Sequence, residues 1–518
     1  MSASVAEPQE SRLAPIATAP LVTVAAAIAV LHGAGLAGYG YFRDELYYLA
    51  SRAHLGFGYV DQPPLSILLL AGWTAVAGDS VIAIRLLALA GGLLAALLCA
   101  LLARELGGRS FAQGLAALAI GAAPMLAGLT HIYSMNVLDL DFWLLSAWLL
   151  VRVLATGDPR PWPLLGLALG AGLENKISVL WLGAGIAVGL VATAARVHLR
   201  HRGPWLAGAI AVALFAPYVV WNAVHGFPTL EFIRNAERLK MVHTSPLALL
   251  GGLTLELSPA LAPVWVGGLL WTLFAPAGRR FRILGIVWLV AFAIVAGNGT
   301  AKGYYLAPAT SLLFAAGAVA WEGWLAVGAW RWLRPALLAA IVAFGLIGAP
   351  LAVPLLSEES FIAYARALGF MPQPSERQAL GELPQHFADQ HGWQEMADKV
   401  AAAYRRLTPE EQRQAVVFGQ NYGEAGAIEV LGRRLGLPPA VSGHNSFWLW
   451  GPGGRSGSVV IILGGDPRDN AANCDRVEII DTVHCAYCMP YERDLPVTIC
   501  RGLHGGFDAL WPRLKHFV

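Results

Sequence analysis

Charge is what this sequence has least of. Lys, Arg, Asp and Glu make up 14% of its 518 residues, against about 25% in ordinary soluble domains. A deficit of that size excludes a chain that meets water along its whole length. The formal net charge is only +2 and no basic block interleaves with aromatics, so nothing invites a nucleic acid. No phosphate-cradling glycine loop, nucleotide signature or nucleophile elbow occurs, which argues against a cytoplasmic enzyme fed by nucleotide sugars. Cysteine is sparse too. Of five, four (Cys474, Cys485, Cys488 and Cys500) cluster near the C-terminal end. That even number suggests two disulfides in an oxidising compartment, with three possible connectivities. The alternative is a four-thiolate zinc site using the Cys485-x-x-Cys488 spacing. A zinc ribbon wants a second close pair, which Cys474 and Cys500 do not form, so disulfides are favoured.

Apolar residues supply 56% of the chain, and they come in runs. After a polar start ending near Arg12 and Pro15, an apolar stretch extends from Ile16 to about Ala37. It is long enough to span a hydrocarbon core, which takes about 20 residues, and too long for a cleaved leader. Further runs lie at about 81–103, 110–130, 137–151, 161–174, 177–195, 205–222, 260–277, 283–297, 304–326 and 335–355. Together these predict a polytopic α-helical membrane protein with about eleven transmembrane helices. The run 65–77 after Pro63-Pro64 is too short to cross alone and is expected to pack at the surface or re-enter.

With the N-terminus inside, five successive cytoplasmic connections collect arginine: Arg104 and Arg109; Arg152 and Arg160; Arg196, Arg200 and Arg202; Arg279, Arg280 and Arg282; Arg331 and Arg334. This satisfies the positive-inside rule. Without the short 161–174 helix, Arg196 to Arg202 would fall on the wrong side. The external connections include two long ones, 38–80 and 223–259. From Ser357 the composition turns polar, with a helical stretch from Trp393 to Arg406 and strand-like runs at Ala415-Val-Val-Phe and Ser458-Val-Val-Ile-Ile-Leu463. Two domains are expected: residues 1–356 in the membrane and 357–518 as a soluble extracytoplasmic α/β or α+β domain.

Charges at a membrane boundary are costly and tend to be functional. The first external loop concentrates them in Tyr41-Phe-Arg43-Asp44-Glu45-Leu-Tyr47-Tyr48, Arg52, His54 and Tyr59-Val-Asp61-Gln62-Pro63-Pro64-Leu65. An adjacent Asp-Glu pair supplies a general base and a second carboxylate that orients substrate or metal. The plainer reading makes Asp44 a helix cap and the loop a solvated interface. In the tail, Asn421-Tyr-Gly-Glu424-Ala-Gly and Ser442-Gly-His444-Asn445-Ser-Phe-Trp448-Leu-Trp450 suit sugar stacking, or else are ordinary turn glycine and core tryptophan.

The segment Tyr41–Leu65 resembles the first external loop of the GT-C glycosyltransferases. Within them it is similar to the bacterial glycosyltransferase family 39 enzymes, the protein O-mannosyltransferases and lipid A aminoarabinose transferases. Asp44-Glu45 and Asp61-Gln62-Pro63-Pro64-Leu65 carry that resemblance, followed in order by His131-Ile-Tyr-Ser-Met-Asn136, Glu174-Asn175-Lys176 and Lys302-Gly-Tyr304-Tyr305-Leu-Ala-Pro308. It implies an inverting enzyme of the bacterial inner membrane that moves a sugar from a polyprenyl-phosphate donor to an acceptor hydroxyl on protein, lipid A or another envelope glycan. It places Asp44 on the catalytic aspartate, with Glu45 beside it. Arg52, Asp61, Gln62, Lys176, Lys302 and Tyr304 become candidates for the donor and its phosphate, and His131 and Asn136 for the cleft wall. A divalent metal on Asp61, completed by His225 or His243, is a further candidate. Gln62 stands where many relatives carry Lys, and Tyr47 where aminoarabinose enzymes tend to carry Arg, so their exact specificity does not transfer. Two other classes compete: a flippase for lipid-linked precursors, and an inactive scaffold that binds envelope glycan.

Overall fold

The computed structural model describes residues 13–300, 302–326, 328–370, 374 and 376–518. The polar start through Arg12 lies outside them. Among the described residues, six helical segments are long and apolar enough to cross a membrane: Thr18–Gly35, Val81–Glu105, Arg202–Val224, Arg279–Asn298, Gly303–Trp324 and Trp330–Ala352. Three more spans arise if each sharply bent pair counts as one: Ser110–Gly121 with Pro124–His131, Val179–Ala192 with Ala194–Arg200, and Pro246–Leu257 with Pro259–Phe274. Pro124 and Pro259 sit at two of those breaks, where proline lacks the amide hydrogen a continuous helix would donate.

The expected count of eleven also drew on 137–151 and 161–174. Helices form there, at Met135–Thr156 and Pro161–Asn175. The first carries Asp139, Asp141 and Arg152 and the second has 15 residues, so neither meets the same test of length and apolarity. The run 65–77 is the helix Leu65–Ala77. The second long loop departs from expectation, because 246–257 within it is an apolar helix bent by 99° against its successor.

Gly303–Trp324 runs through the middle of the bundle, and small residues let its neighbour approach. A Cβ on Gly317 would fall 1.9 Å from the Val264 carbonyl oxygen, and one on Gly268 would fall 2.2 Å from that of Leu313. Backbones packed this closely gain dispersion where lipid supplies no hydrophobic drive. Peripheral helices do the reverse: Arg202–Val224 leaves Val212 and Val220 exposed, as a lipid-facing surface should.

The tail folds around a five-stranded sheet. Its strands are β1 (Val416–Gly419), β2 (Ala440–Val441), β3 (Val459–Leu463), β4 (Cys474–Val483) and β5 (Leu495–Leu503), in the order β2-β1-β3-β5-β4. β1 pairs parallel with β2 and β3, while β5 runs antiparallel to β3 and β4. β1 and β3 are buried throughout, the pattern of strands covered on both faces, and β4 at the edge alternates toward solvent. Both predicted strands and the helix Trp393–Arg405 are present. The cysteines pair as Cys474–Cys500, across β4 and β5, and Cys485–Cys488.

Two contacts seat the tail on the membrane portion. The helix Tyr422–Val430 lies against Arg43–Ser51 so closely that a Cβ on Gly426 would come within 3.0 Å of the Leu46 backbone. Met241 bridges to Glu376, and the Arg377 amide donates to the Lys240 carbonyl, which stitches the second loop to the start of the tail.

Candidate functional site

The helix Arg43–Ser51 begins where Glu45 reaches back to accept from the Phe42 amide (2.8 Å). That bond satisfies one of the free donors of a helix N-terminus. Glu45 also accepts from the Tyr133 amide (3.0 Å) and pairs with Arg85 (3.4 Å), with both side chains fully buried. Arg85 in turn donates to the carbonyls of Leu36 and Gly40 and to Gln390 of the tail. Burial pushes the Glu45 carboxyl up, against the pull of Arg85 and the two amides. Glu45 therefore knots four segments together.

Asp44, one residue earlier on the same turn, points elsewhere. Its Oδ1 accepts from the Tyr422 hydroxyl of the tail at 2.9 Å, and among the described residues its Oδ2 has no hydrogen-bond partner. The Arg43 guanidinium lies 4.3 Å over the Tyr422 ring and donates to the Tyr491 hydroxyl at 2.8 Å. Asp61 is held in parallel fashion: its Oδ1 accepts from the Tyr47 hydroxyl (2.9 Å), and the Tyr47 and Tyr422 rings pack 4.9 Å apart. Burial raises Asp61 to about 6, the Tyr47 bond opposing it and the nearby Asp44 charge adding to it.

Cations gather where the second loop meets the tail. Lys302 bonds Glu376 at 2.7 Å and Lys240 approaches the same carboxylate at 3.8 Å. Burial opposes charging Lys302, yet Glu376 and, more weakly, Asp44 raise its pKa overall; burial lowers that of Lys240. The two lysines outweigh burial at Glu376, which is held below its ordinary value. Lys176 donates to Asn136 (2.7 Å), pairs with Asp139 (3.3 Å) and lies 5.7 Å from the Tyr304 ring and 5.6 Å from that of Tyr305. The Ser178 hydroxyl also bonds Asp139, within 2.8 and 2.9 Å of its two carboxylate oxygens.

The structure thus draws Asp44, Asp61 and Lys302 into one neighbourhood and puts Lys176, Asn136 and Tyr304 together. Arg52 is occupied elsewhere. It closes the end of the helix by bonding Leu49, Thr74 and Asp79, about 12 Å of helix away from Asp44. Gln62 is buried, and neither atom of its amide has a partner among the described residues. His131 is buried 5.5 Å from the His32 ring and likewise lacks a bonding partner there. The histidines considered with Asp61 for a metal are not gathered around it. His225 stacks on Trp221 (4.5 Å), His243 lies beside Gly299, and among the described residues no three His, Cys, Asp or Glu side chains form a metal-holding group.

The tail motifs serve contact. A Cβ on Gly423 would strike the Arg43 side chain at 2.7 Å. His444 and Asn445 are buried and bond the backbone of Val518. Trp450 stacks on His54 at 4.2 Å.

Sequence reasoning placed Tyr422 in a tail motif suited to sugar stacking rather than beside Asp44, and it missed Lys240, Glu376 and Asp139. Asp139 had a signal, as a carboxylate inside an apolar helix, and Lys240 had a weak one as a cation of the second loop. Glu376 had none, and nothing in the Tyr422 motif pointed to Asp44, since each meets the site only through the docking of a distant segment.

The architecture is that of the GT-C glycosyltransferases, and the resemblance read from the loop motifs is borne out. Residues 61–221 match the family model described as dolichyl-phosphate-mannose-protein mannosyltransferase. ArnT from Cupriavidus metallidurans bound to undecaprenyl phosphate superposes with a TM-score of 0.58 at 15% identity, over 92% of this chain and 97% of that one. The arabinofuranosyltransferase AftD from Mycobacteria gives 0.52 at 13% identity, over 94% and 40%. The archaeal oligosaccharyltransferase AglB from Archaeoglobus fulgidus gives 0.50 at 13%, over 82% and 64%. At these identities the likeness is one of fold. No curated protein matches the chain in sequence.

Proposed function

We propose that this protein is an inverting glycosyltransferase. It takes a sugar from a polyprenyl-phosphate donor and passes it to an acceptor hydroxyl on the extracytoplasmic face of a bacterial inner membrane. The observation that carries the reading is Asp44. Its carboxylate is anchored through one oxygen, leaves the other unbonded among the described residues, and shares its neighbourhood with Lys302 and Lys240. A general base for a hydroxyl needs a free carboxylate oxygen. In one displacement the acceptor oxygen attacks the anomeric carbon and its proton passes to Asp44. The bond from that carbon to the donor phosphate oxygen breaks, and the polyprenyl phosphate leaves with the electron pair. Charge grows on that phosphate, and preplaced cations stabilise it; Lys302, Lys240 and Lys176 are assigned this task. The unpartnered amide of Gln62 is a neutral donor for the same phosphate.

Glu45 and Arg52 act by holding the loop. Undecaprenyl phosphate, the ligand in the ArnT structure, is a carrier of the proposed class. In this reading residues 1–356 bind the lipid-linked donor in the membrane and residues 357–518 close the site from outside. The arginine-rich connections support an N-terminus in the cytoplasm.

The test is sugar transfer in proteoliposomes from a panel of radiolabelled undecaprenyl-phosphate sugars to envelope extract. Wild type is expected to transfer, and Asp44→Asn, equally well folded, to lose at least about a hundredfold. An Asp44→Asn protein as active as wild type refutes the assignment.

A further inference from the structure

The motif Asn421-Tyr-Gly-Glu424-Ala-Gly has the form of a tight helix start, and the structure shows what it carries. Asn421 caps the helix Tyr422–Val430 by accepting from the amides of Gly423 and Glu424 (2.8 and 3.1 Å). Gly423 and Gly426 remove the side chains that would hold this helix off Arg43, Leu46 and Tyr47. The effect is to deliver the Tyr422 hydroxyl, from the soluble part of the chain, to Asp44 Oδ1 at 2.9 Å. Two further contacts fix the phenol: Arg43 lies over its ring, and the Tyr47 ring packs against it. Tyr422 is buried. Asp44 is half-buried, so the bond is shielded from water on the tyrosine side, which strengthens a hydrogen bond to a carboxylate and helps it hold its geometry.

We propose that Tyr422 is a positioning residue for the transfer reaction. By occupying Oδ1 it fixes the rotation of the Asp44 carboxylate and turns Oδ2 toward the acceptor hydroxyl, so that the membrane portion alone does not present a correctly aimed base. The proposal rests on Asp44 being that base. It also gives the tail a part in catalysis, because the helix that docks it brings this hydroxyl.

The experiment compares wild type, Tyr422→Phe and Asp44→Asn, all full-length, in the proteoliposome assay with the undecaprenyl-phosphate sugars. Tyr422→Phe keeps the ring beneath Arg43 and removes only the hydroxyl. It is expected to lower kcat roughly ten- to hundredfold, the scale of a misaimed reacting group, with the donor KM within about twofold of wild type. A Tyr422→Phe protein with wild-type kcat, or with its loss confined to KM, overturns the inference. Asp44→Asn separates the two levels. If it is inactive while Tyr422→Phe is fully active, the base assignment stands and the positioning role falls. If it is active, the base assignment falls and the positioning role with it. A second readout needs no turnover. The isotope-edited infrared C–O band of ring-labelled tyrosine, assigned to Tyr422 by its absence in Tyr422→Phe, must move in Asp44→Asn, where a charged acceptor becomes neutral. A band that stays in place overturns the proposal even if no sugar in the panel is transferred.

Discussion

Glu45→Ala separates the two carboxylates of the Asp-Glu pair. Glu45 and Arg85 are both 0% exposed. Truncation leaves the amides of Phe42 and Tyr133 without their acceptor, and leaves the Arg85 guanidinium with only the neutral oxygens of Leu36, Gly40 and Gln390. Removing one member of a buried ion pair costs about 3–5 kcal/mol, chiefly from the stranded partner. Unfolding entropy scales with chain length, so for a chain this long the cost corresponds to a fall in Tm of about 3–5 °C. Glu45→Gln keeps one carbonyl oxygen and is expected to cost about 1–3 kcal/mol. Because the groups touch, Glu45→Ala with Arg85→Ala should cost less than the sum of the two. Asp44→Asn, which breaks no buried ion pair, should melt within about 1 °C of wild type. The assay is intrinsic-fluorescence melting in nanodiscs, run beside transfer. If Glu45→Ala melts like wild type yet loses transfer, the knot is not structural and Glu45 belongs to the chemistry.

Three other outcomes are expected. Burial lifts Asp61 from 3.8 to about 6, so its ionisation opposes folding above that value and the penalty vanishes below about 4. Asp61→Asn, which still accepts from Tyr47, should therefore gain stability over wild type at pH 7–8 and lose the gain as pH falls from 6 to 4. A stability difference flat across that window would contradict the burial argument. The Cys474–Cys500 bridge closes a separation of 26 residues and Cys485–Cys488 one of 3. Loop-closure entropy assigns them about 3.5 and about 1.6 kcal/mol, so Cys474→Ser with Cys500→Ser should speed proteolysis of the tail more than the other pair of substitutions does; the reverse order would refute the ranking. Lys302→Ala should lower kcat/KM about ten- to hundredfold, and a change under about twofold would remove Lys302 from the phosphate site.

Much of the architecture was legible in the chain because the membrane enforces a one-dimensional rule. Backbone groups in lipid must be satisfied within their own segment, so long apolar runs are helices wherever they occur. Thr18–Gly35, Val81–Glu105 and Trp330–Ala352 follow directly from that. The apolar run β3, the helix Trp393–Arg405 and the Asp-Glu loop were readable for similarly local reasons. Proline breaks and helices with charges inside them blurred the count, as at Pro259 and at Asp139. What the sequence by itself determined is a membrane protein of many apolar helices and the Asp-Glu loop that follows the first of them. The tertiary structure alone decided what surrounds the Asp44 carboxylate. Glu45, adjacent in sequence, turns inward to Arg85, while Tyr422, nearly four hundred residues on, donates to Asp44. Arg52, eight residues away, is drawn to Asp79 and Lys302 to Glu376. Such partnerships are set by how the tail docks on the first loop, and close packing between distant segments leaves no periodic trace in either of them.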